Sequence, residues 1–153
     1  MRVIGVSDGR TEAPHFDKIL PRARMNEAAA EADFLIALVP HTPATNNLIG
    51  ASVFDAMKPS GVLINIARGG VVDEDALVAA LRAGKIRGAG LDVFKTEPLP
   101  KDSPLWDMPN VFITSHVGGM AITYGEQVMP LLVENLRAFT AGQPERMRFI
   151  VKR

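Results

Sequence analysis

The 153-residue sequence contains no cysteine. It therefore forms no disulfide, binds no metal through thiolates and uses no cysteine nucleophile. Acidic and basic residues number 17 each, and no basic stripe or polybasic run indicates a nucleic acid or a membrane surface as partner. The apolar runs, such as 34–39, are too short to span a bilayer, and Asp8 interrupts the first of them early. We expect a cytoplasmic protein without nucleic-acid or membrane partners.

Several motifs with a known chemistry are also missing. The sequence has no G-x-G-x-x-G phosphate loop, no Ser-His-Asp arrangement and no cluster with metal-ligand spacing. The absences leave acid/base chemistry by histidine, carboxylate and arginine side chains as the main alternative to a purely structural role.

What the sequence does contain is typical of one folded domain, with 47% hydrophobic and 22% charged residues. Strand and helix patterns alternate, and the strands are continuous apolar runs, which predicts a parallel α/β sheet covered by helices on both faces. We predict strands at 3–6, 34–39, 62–66, 89–93 and 111–114, and helices at 26–32, 51–57, 73–83 and 121–141, the last kinked at Pro130. Residues 8–24 and 95–110 are predicted as loops, the first with at most one helical turn and the second with Leu105 and Trp106 packed against the body.

The stretch from Asn65 to Leu77 carries the most informative local pattern. It begins in the β-branched run at 62–66, a predicted buried strand, and Asp73 with its acidic neighbours predicts a helix start. Arg68 lies on the turn between strand and helix. In an open parallel sheet this turn lies at the carboxyl edge, where ligands bind, and an arginine there can hold a carboxylate through two parallel hydrogen bonds. A surface arginine in a loop that leads into a helix fits the pattern equally well.

Three polar residues follow three successive predicted strands: Arg68, Glu97 and His116. A parallel sheet places all three at one edge. An arginine that binds a carboxylate, a histidine that moves a proton and a carboxylate that orients this histidine form a coherent acid/base site. Glu97 would favour the imidazolium form of His116.

Each of these residues also has a structural interpretation. Glu97 lies in a proline-rich loop and fits a solvated surface carboxylate, and His116 fits a structural histidine. We interpret His15 as structural and His41 as at most a neighbour of a ligand. Helix capping fully explains the acidic cluster 73–75.

Six motifs follow one another along the chain. They are Pro40-His41-Thr42-Pro43-Ala44-Thr45, Asn65-Ile66-Ala67-Arg68-Gly69, Val72-Asp73-Glu74, Gly90-Leu91-Asp92-Val93-Phe94, Glu97-Pro98-Leu99-Pro100 and His116-Val117-Gly118-Gly119. Together they resemble the NAD-binding domain of the D-isomer-specific 2-hydroxyacid dehydrogenases, over nearly the whole chain. The resemblance implies a Rossmann-like doubly wound sheet and an oxidoreductase that transfers a hydride between NAD(P)H and a small 2-keto or 2-hydroxy acid.

The resemblance also implies roles for individual residues. Arg68 would bind the carboxylate and carbonyl of the substrate, His116 would be the general acid/base, and Glu97 would pair with it. Asp92 would bind the nicotinamide carboxamide. The other residues implied to line the cofactor are Ser7, Val39, Pro40, Thr45, Ile66, Ala67, Gly118 and Gly119, together with Arg68 and His116 themselves.

The sequence departs from this family in its phosphate-binding part. Family members carry a glycine-rich loop and its strand before the strand predicted at 3–6, and in the order 3-2-1-4-5-6 that strand is central. We therefore expect 1–153 to be a partial dinucleotide-binding domain that lacks its first strand and helix, with 121–153 as C-terminal helix and tail. The strands at 3–6 and 62–66 are then expected to have unpaired edges, which favours a homodimer or marginal stability.

The choice between NAD and NADP stays open. Ser7 holds the position that reads the ribose, Asp8 follows it and favours NAD, and the nearby Arg10 favours NADP.

Two functions compete at this point. One is a fragment of an oxidoreductase of 2-hydroxy acids, with the specific substrate undetermined. The other is a non-catalytic nucleotide-binding remnant, or a self-pairing module with the same fold.

Overall fold

The computed structural model describes residues 1–150. The last part of the predicted tail, 151–153, lies outside the described residues. The chain divides into two compact units, Met1–Gly118 and Gly119–Arg153. The first unit contains β1 (Ile4–Val6), β2 (Lys18–Leu20), α1 (Met25–Glu31), β3 (Phe34–Ala37), α2 (Ala51–Ala56), β4 (Val62–Asn65), α3 (Glu74–Arg82), β5 (Gly88–Leu91) and β6 (Val111–Ile113). The second contains α4 (Tyr124–Thr140).

All strand pairs in the first unit are parallel. β1 pairs with β2, and a second sheet has the order β3-β4-β5-β6. In this sheet Ile36, Ile64, Gly90 and Phe112 lie side by side across the four strands. The predicted parallel α/β architecture is confirmed.

The edges of the sheets differ from the sequence-based prediction. The strand predicted at 62–66 was expected to have an unpaired edge, but β4 pairs with β3 on one side and β5 on the other, so that expectation is wrong. The edge strands of this sheet are β3 and β6, since β4 and β5 are their only respective strand partners among the described residues. β1 has a strand partner on one side, as expected.

Short elements account for the other differences. Residues 8–24 were predicted as loop, but Lys18–Leu20 forms β2 by pairing with β1, and Arg22–Arg24 forms a single 3₁₀ turn. Three residues that begin with a lysine give too short an apolar run to predict a strand. The helix expected to begin after Asn26 instead begins at Met25, with Arg24 at the N-cap.

The core lies between the four-stranded sheet and the helices on one of its faces. Successive strand residues point to opposite faces, and one face places Leu63 and Leu91 against α2 and α3. Fully buried side chains at the centre include Phe54, Leu63, Leu77, Ile86 and Leu105. Trp106, predicted to pack against the body, is instead 52% exposed and donates its indole N–H to the carbonyl of Pro100.

The opposite face of the same sheet is uncovered. Phe34, Ile36 and Phe112 point to this face and are 61%, 49% and 72% exposed. Helices were predicted on both faces, as is normal for a parallel sheet, but these three side chains stay exposed among the described residues. This face is therefore an apolar surface whose exposed side chains come from β3 and β6.

The second unit consists of α4 and the segment after it. The helix continues through Pro130, where a kink was predicted, and none of its residues is buried. Asn135 holds the following segment by donating to the carbonyl of Arg148 and accepting from its amide. Among residues 1–150, no helix combines the length and the hydropathy needed to cross a membrane.

Candidate active site

The candidate site lies where β4, β5 and β6 end. Arg68 follows β4 by three residues, Asp92 follows β5 directly, and His116 follows β6 by three residues. In a parallel sheet these positions share the carboxyl edge, so the sequence itself brings the three side chains together.

Arg68 stands at the N-cap of a 3₁₀ turn formed by Gly69–Val71. Its guanidinium donates to the carbonyl of Ala67 at 2.6 Å, and no carboxylate among the described residues pairs with it. The side chain is exposed. Most donors of this guanidinium are therefore available to an external carboxylate.

The turn after Arg68 approaches the loop that carries Glu97 very closely. A Cβ placed on Gly69 would lie 1.9 Å from the backbone carbonyl of Phe94. Only glycine permits this approach without displacing one of the two segments. Gly69 thus allows contact between the turn at 68–71, called the arginine turn, and the loop at 94–97, called the glutamate loop.

His116 and Glu97 form a direct pair. His116 Nδ1 lies 2.8 Å from Glu97 Oε2, and Glu97 Oε1 accepts from the amide of Phe94 at 2.9 Å. The hydrogen bond from His116 is the main cause that lowers the pKa of Glu97, with the Phe94 amide next. An ionised carboxylate at Nδ1 keeps a proton on that nitrogen, which leaves Nε2 to take up or release the proton of a ligand.

Asp92 holds the segment on which His116 lies. Its carboxylate accepts from the hydroxyl of Thr114 at 2.5 Å and from the amides of Val117 and Gly118 at 2.9 and 2.8 Å. The Thr114 hydrogen bond, followed by the two amides, lowers the pKa of this buried carboxyl. The backbone amide of His116 donates to the Asp92 carbonyl at 2.8 Å, and His116 has a positive φ of 57°.

These residues border one open cleft of about 520 Å³. The side chains that could contact a ligand include two histidines, an arginine, a lysine and a carboxylate, so the cleft is predominantly cationic when His116 is protonated. Its lining comprises His41, Asn46, Asn47, Arg68, Gly69, Gly70, Phe94, Lys95, Glu97 and His116.

His41 contributes more to this cleft than the sequence indicated. Its Nε2 lies 3.0 Å from Asn46 Oδ1, and its ring lies close to Gly70, where a Cβ would come within 2.5 Å of Nε2. The segment after it is tied to the arginine turn, because the Asn47 amide donates to the Gly70 carbonyl at 2.8 Å. His41, interpreted from the sequence as at most a neighbour of a ligand, lines the cleft. Lys95 was not predicted, and only the tertiary approach of the two loops reveals it.

The predicted cofactor residues of the other strands have different surroundings. Thr45 is buried, and its hydroxyl donates to the Pro40 carbonyl at 2.6 Å and accepts from the Thr42 amide, so it shapes the turn at 40–45. Ile66 is half exposed at the end of β4. Ser7 Oγ accepts from the amide of Gly9.

The residues present fit the nicotinamide end of a dinucleotide. A carboxylate has about four acceptor positions, and Asp92 uses three of them, so one remains for a carboxamide N–H. The sequence supplies no glycine-rich loop for the pyrophosphate. The fit therefore extends to the nicotinamide and not to the phosphates.

Comparison with known proteins adds independent findings. Residues 1–118 match the family model described as D-isomer specific 2-hydroxyacid dehydrogenase, NAD binding domain. The chain is 51% identical over 114 residues to glyoxylate/hydroxypyruvate reductase B of Pectobacterium carotovorum. The matched stretch covers 74% of this chain and 36% of that protein. The chain thus spans about a third of the length of the curated relatives it matches.

Solved structures resemble the fold as well. A D-isomer specific 2-hydroxyacid dehydrogenase from Xanthobacter autotrophicus, in complex with NADPH and MES, has a TM-score of 0.81 at 38% identity, covering 93% of this chain and 58% of that one. An NADPH-dependent glyoxylate/hydroxypyruvate reductase from Sinorhizobium meliloti, in complex with NADP and sulfate, has a TM-score of 0.82 at 31% identity, covering 99% of this chain and 48% of that one.

Proposed function

Since the chain belongs to the D-isomer-specific 2-hydroxyacid dehydrogenases through their NAD-binding domain, we propose that it carries the substrate-anchoring and proton-transfer residues of a 2-keto acid reductase. The observation that carries the proposal is the His116–Glu97 pair at 2.8 Å in the cleft that also contains Arg68. The substrate class is small 2-keto acids such as glyoxylate and hydroxypyruvate, which the names of the relatives contain.

In this proposal the protein residues have separate tasks. Arg68 binds the carboxylate of the 2-keto acid through two parallel hydrogen bonds and points its C2 carbonyl at His116. His116 donates the proton on Nε2 to the carbonyl oxygen during reduction, and takes it back in the reverse direction. Glu97 stays ionised and stabilises the imidazolium. A bound nicotinamide cofactor supplies the hydride.

The cofactor is NAD or NADP, held at its nicotinamide end by Asp92 and by the backbone of the 118–119 pair. Asp8 is engaged by Arg22 through an ion pair at 3.2 Å and a backbone hydrogen bond at 2.8 Å. The neutralised carboxylate repels a 2′-phosphate less, which favours NADP. The complexes of the two solved relatives with NADPH and NADP agree with this choice.

A ligand titration tests the proposed substrate site in this chain. Oxamate, an unreactive analogue of a 2-keto acid, is added while the NMR signals of the Arg68 guanidinium and the His116 ring are followed. We expect saturable shifts at both residues with oxamate and weaker binding of acetate, which lacks the second carbonyl. Oxamate shifts that avoid both residues would contradict the proposal.

One observation favours a second candidate, the self-pairing module. β3 offers an unpaired backbone edge, and the side chains of Phe34, Ile36 and Leu38 along it are 61%, 49% and 71% exposed. An exposed apolar edge strand recruits another strand. We propose a homodimer through this edge as the alternative. The cytoplasmic location stays a prediction.

A further inference from the structure

We propose that Asn65 is a positioning residue that fixes Arg68 relative to His116. The proposal rests on the function proposed above and deepens it, because it assigns a role to a buried side chain outside the cleft lining. Asn65 belongs to the motif at 65–69, and the sequence alone assigns it no role.

The side chain of Asn65 closes the turn that presents Arg68. Asn65 is the last residue of β4 and only 1% exposed. Its Oδ1 accepts from the amide of Ala67 at 3.1 Å, and its Nδ2 donates to the carbonyl of Arg68 at 3.1 Å. One planar amide therefore holds the backbone on both sides of the Ala67–Arg68 peptide bond.

This arrangement needs a donor and an acceptor at the same end of a short side chain. Asparagine provides both, whereas aspartate provides acceptors only at neutral pH. The Arg68 carbonyl also accepts from the Val71 amide at 3.1 Å. Both lone pairs of this carbonyl are thus used, and the direction in which the Arg68 side chain leaves the backbone is fixed.

Asn65 also connects the arginine turn to the histidine segment. Its own carbonyl accepts from the amide of Asp92 at 3.0 Å, and the Asp92 carbonyl accepts from the amide of His116 at 2.8 Å. A continuous hydrogen-bonded path therefore runs from Arg68 through Asn65 and Asp92 to His116. This path sets the separation between the group that anchors a carboxylate and the group that moves the proton, which is the geometry on which a reaction rate depends most strongly.

The matched pair of variants is Asn65→Asp and Asn135→Asp. Asn135 makes the same two kinds of contact, one donated to a carbonyl and one accepted from an amide, but it lies in the second unit. Both substitutions keep the size of the side chain and remove the donor. A loss specific to Asn65→Asp therefore reports its position beside Arg68 and not the loss of a doubly hydrogen-bonded side-chain amide in general.

Two measurements on the 153-residue chain decide the proposal. We expect Asn65→Asp to weaken oxamate binding by about 10-fold. A displaced Arg68 loses one charge-assisted hydrogen bond to the oxamate carboxylate, which is worth about 1.4 kcal/mol. The exchange of the Val71 amide with solvent should accelerate by at least about 10-fold in the same variant, because this amide donates to the Arg68 carbonyl that Asn65 no longer holds. Asn135→Asp should leave both quantities at their wild-type values.

Acidification provides a rescue. Once protonated, the introduced carboxyl again donates to the Arg68 carbonyl, so the oxamate affinity of Asn65→Asp should approach that of the wild type measured at the same pH. If Asn65→Asp does not fold, Asn65→Ser replaces it, because a hydroxyl keeps one of the two contacts, and its oxamate affinity should lie below that of the wild type.

The outcomes separate this proposal from the proposed function. If the wild type does not bind oxamate, the proposed function fails, and the Val71 exchange rate still decides the role of Asn65. An exchange rate in Asn65→Asp equal to that of Asn135→Asp overturns the positioning role. Oxamate affinity that survives in a folded Asn65→Asp variant overturns it as well.

Discussion

In the proposed site Arg68 anchors the carboxylate of the substrate, and the chemistry of its side chain explains why a lysine would not replace it. The guanidinium has no carboxylate partner among residues 1–150 and lies beside the cleft. Its planar fork matches both oxygens of a carboxylate, whereas an ammonium contacts them as a point charge.

We therefore predict that Arg68→Lys weakens oxamate binding by about 10-fold, or about 1.4 kcal/mol. Arg82→Lys is the control. It conserves charge in the same way, and Arg82 lies in the last turn of α3. Calorimetric titration of both variants gives the comparison. Equal affinities for Arg68→Lys and the wild type would remove Arg68 from the substrate site.

One carboxylate, that of Asp92, holds residues 114–118 after β6. Its pKa is lowered from 3.8, first by the Thr114 hydroxyl and then by the amides of Gly118 and Val117. A depressed folded-state pKa contributes stability that is present above the ordinary value and is lost as the pH falls through the folded value.

We predict that Asp92→Asn lowers the free energy of unfolding at pH 7 by about 1–3 kcal/mol. The variant should also lose less stability than the wild type as the pH falls below 3.8, since it no longer has this carboxylate to protonate. Urea unfolding at a series of pH values measures both effects. Parallel stability curves for the two proteins would show that Asp92 does not contribute to the pH dependence.

At the scale of elements, two loops from different strands meet with no room between them. A Cβ on Gly69 would lie 1.9 Å from the Phe94 carbonyl, so the arginine turn and the glutamate loop touch backbone to backbone. Any side chain larger than hydrogen must separate Arg68 from Glu97.

We predict that Gly69→Ala destabilises the protein by about 1–3 kcal/mol, the usual cost of overpacking, and weakens oxamate binding. Gly9→Ala is the matched control, because nothing lies within 4 Å of the added Cβ at that position. Thermal unfolding and the oxamate titration report the two effects. A Gly69→Ala variant as stable as Gly9→Ala would mean that the two loops are not in contact.

The elements also show which features a sequence can reveal. Continuous apolar runs predicted β3, β4, β5 and β6, and their shared parallel direction predicted that Arg68, Glu97 and His116 follow strands at one edge. β2 escaped prediction because its three residues are held by pairing with β1 and not by their own pattern. The hydrogen bond from Asn65 to the Arg68 carbonyl is set by the geometry of one turn, and the position of His41 by its approach to Gly70. Neither leaves a periodic signal in the sequence.

In the described residues, the four-stranded sheet has one apolar face, and its two edge strands, β3 and β6, each lack a second strand partner. Phe34, Ile36 and Phe112 lie on that face, and β3 is the edge strand that carries two of them. Burying apolar surface of this kind contributes about 25 cal/mol per Å², so covering this face would contribute to the proposed association with a second copy.

We predict that the chain self-associates and that Ile36→Lys shifts it toward the monomer. A charge on the edge strand opposes pairing, which is a common device against edge-to-edge association. Sedimentation at several concentrations gives the masses, and Ile122→Lys, which adds the same charge at an exposed isoleucine of the second unit, is the control. A monomeric wild type at all concentrations would exclude the self-pairing module.

We propose that Arg68 and His116 act on the same 2-keto acid. A double-mutant cycle for oxamate binding tests this shared contact most directly. The variants are Arg68→Lys, His116→Asn and their combination, with asparagine chosen because it tolerates the positive φ of 57° at His116. Two residues that contact one small ligand should show a coupling free energy of about 1 kcal/mol. Effects that add to within about 0.5 kcal/mol would show that the two residues act independently and would contradict the account.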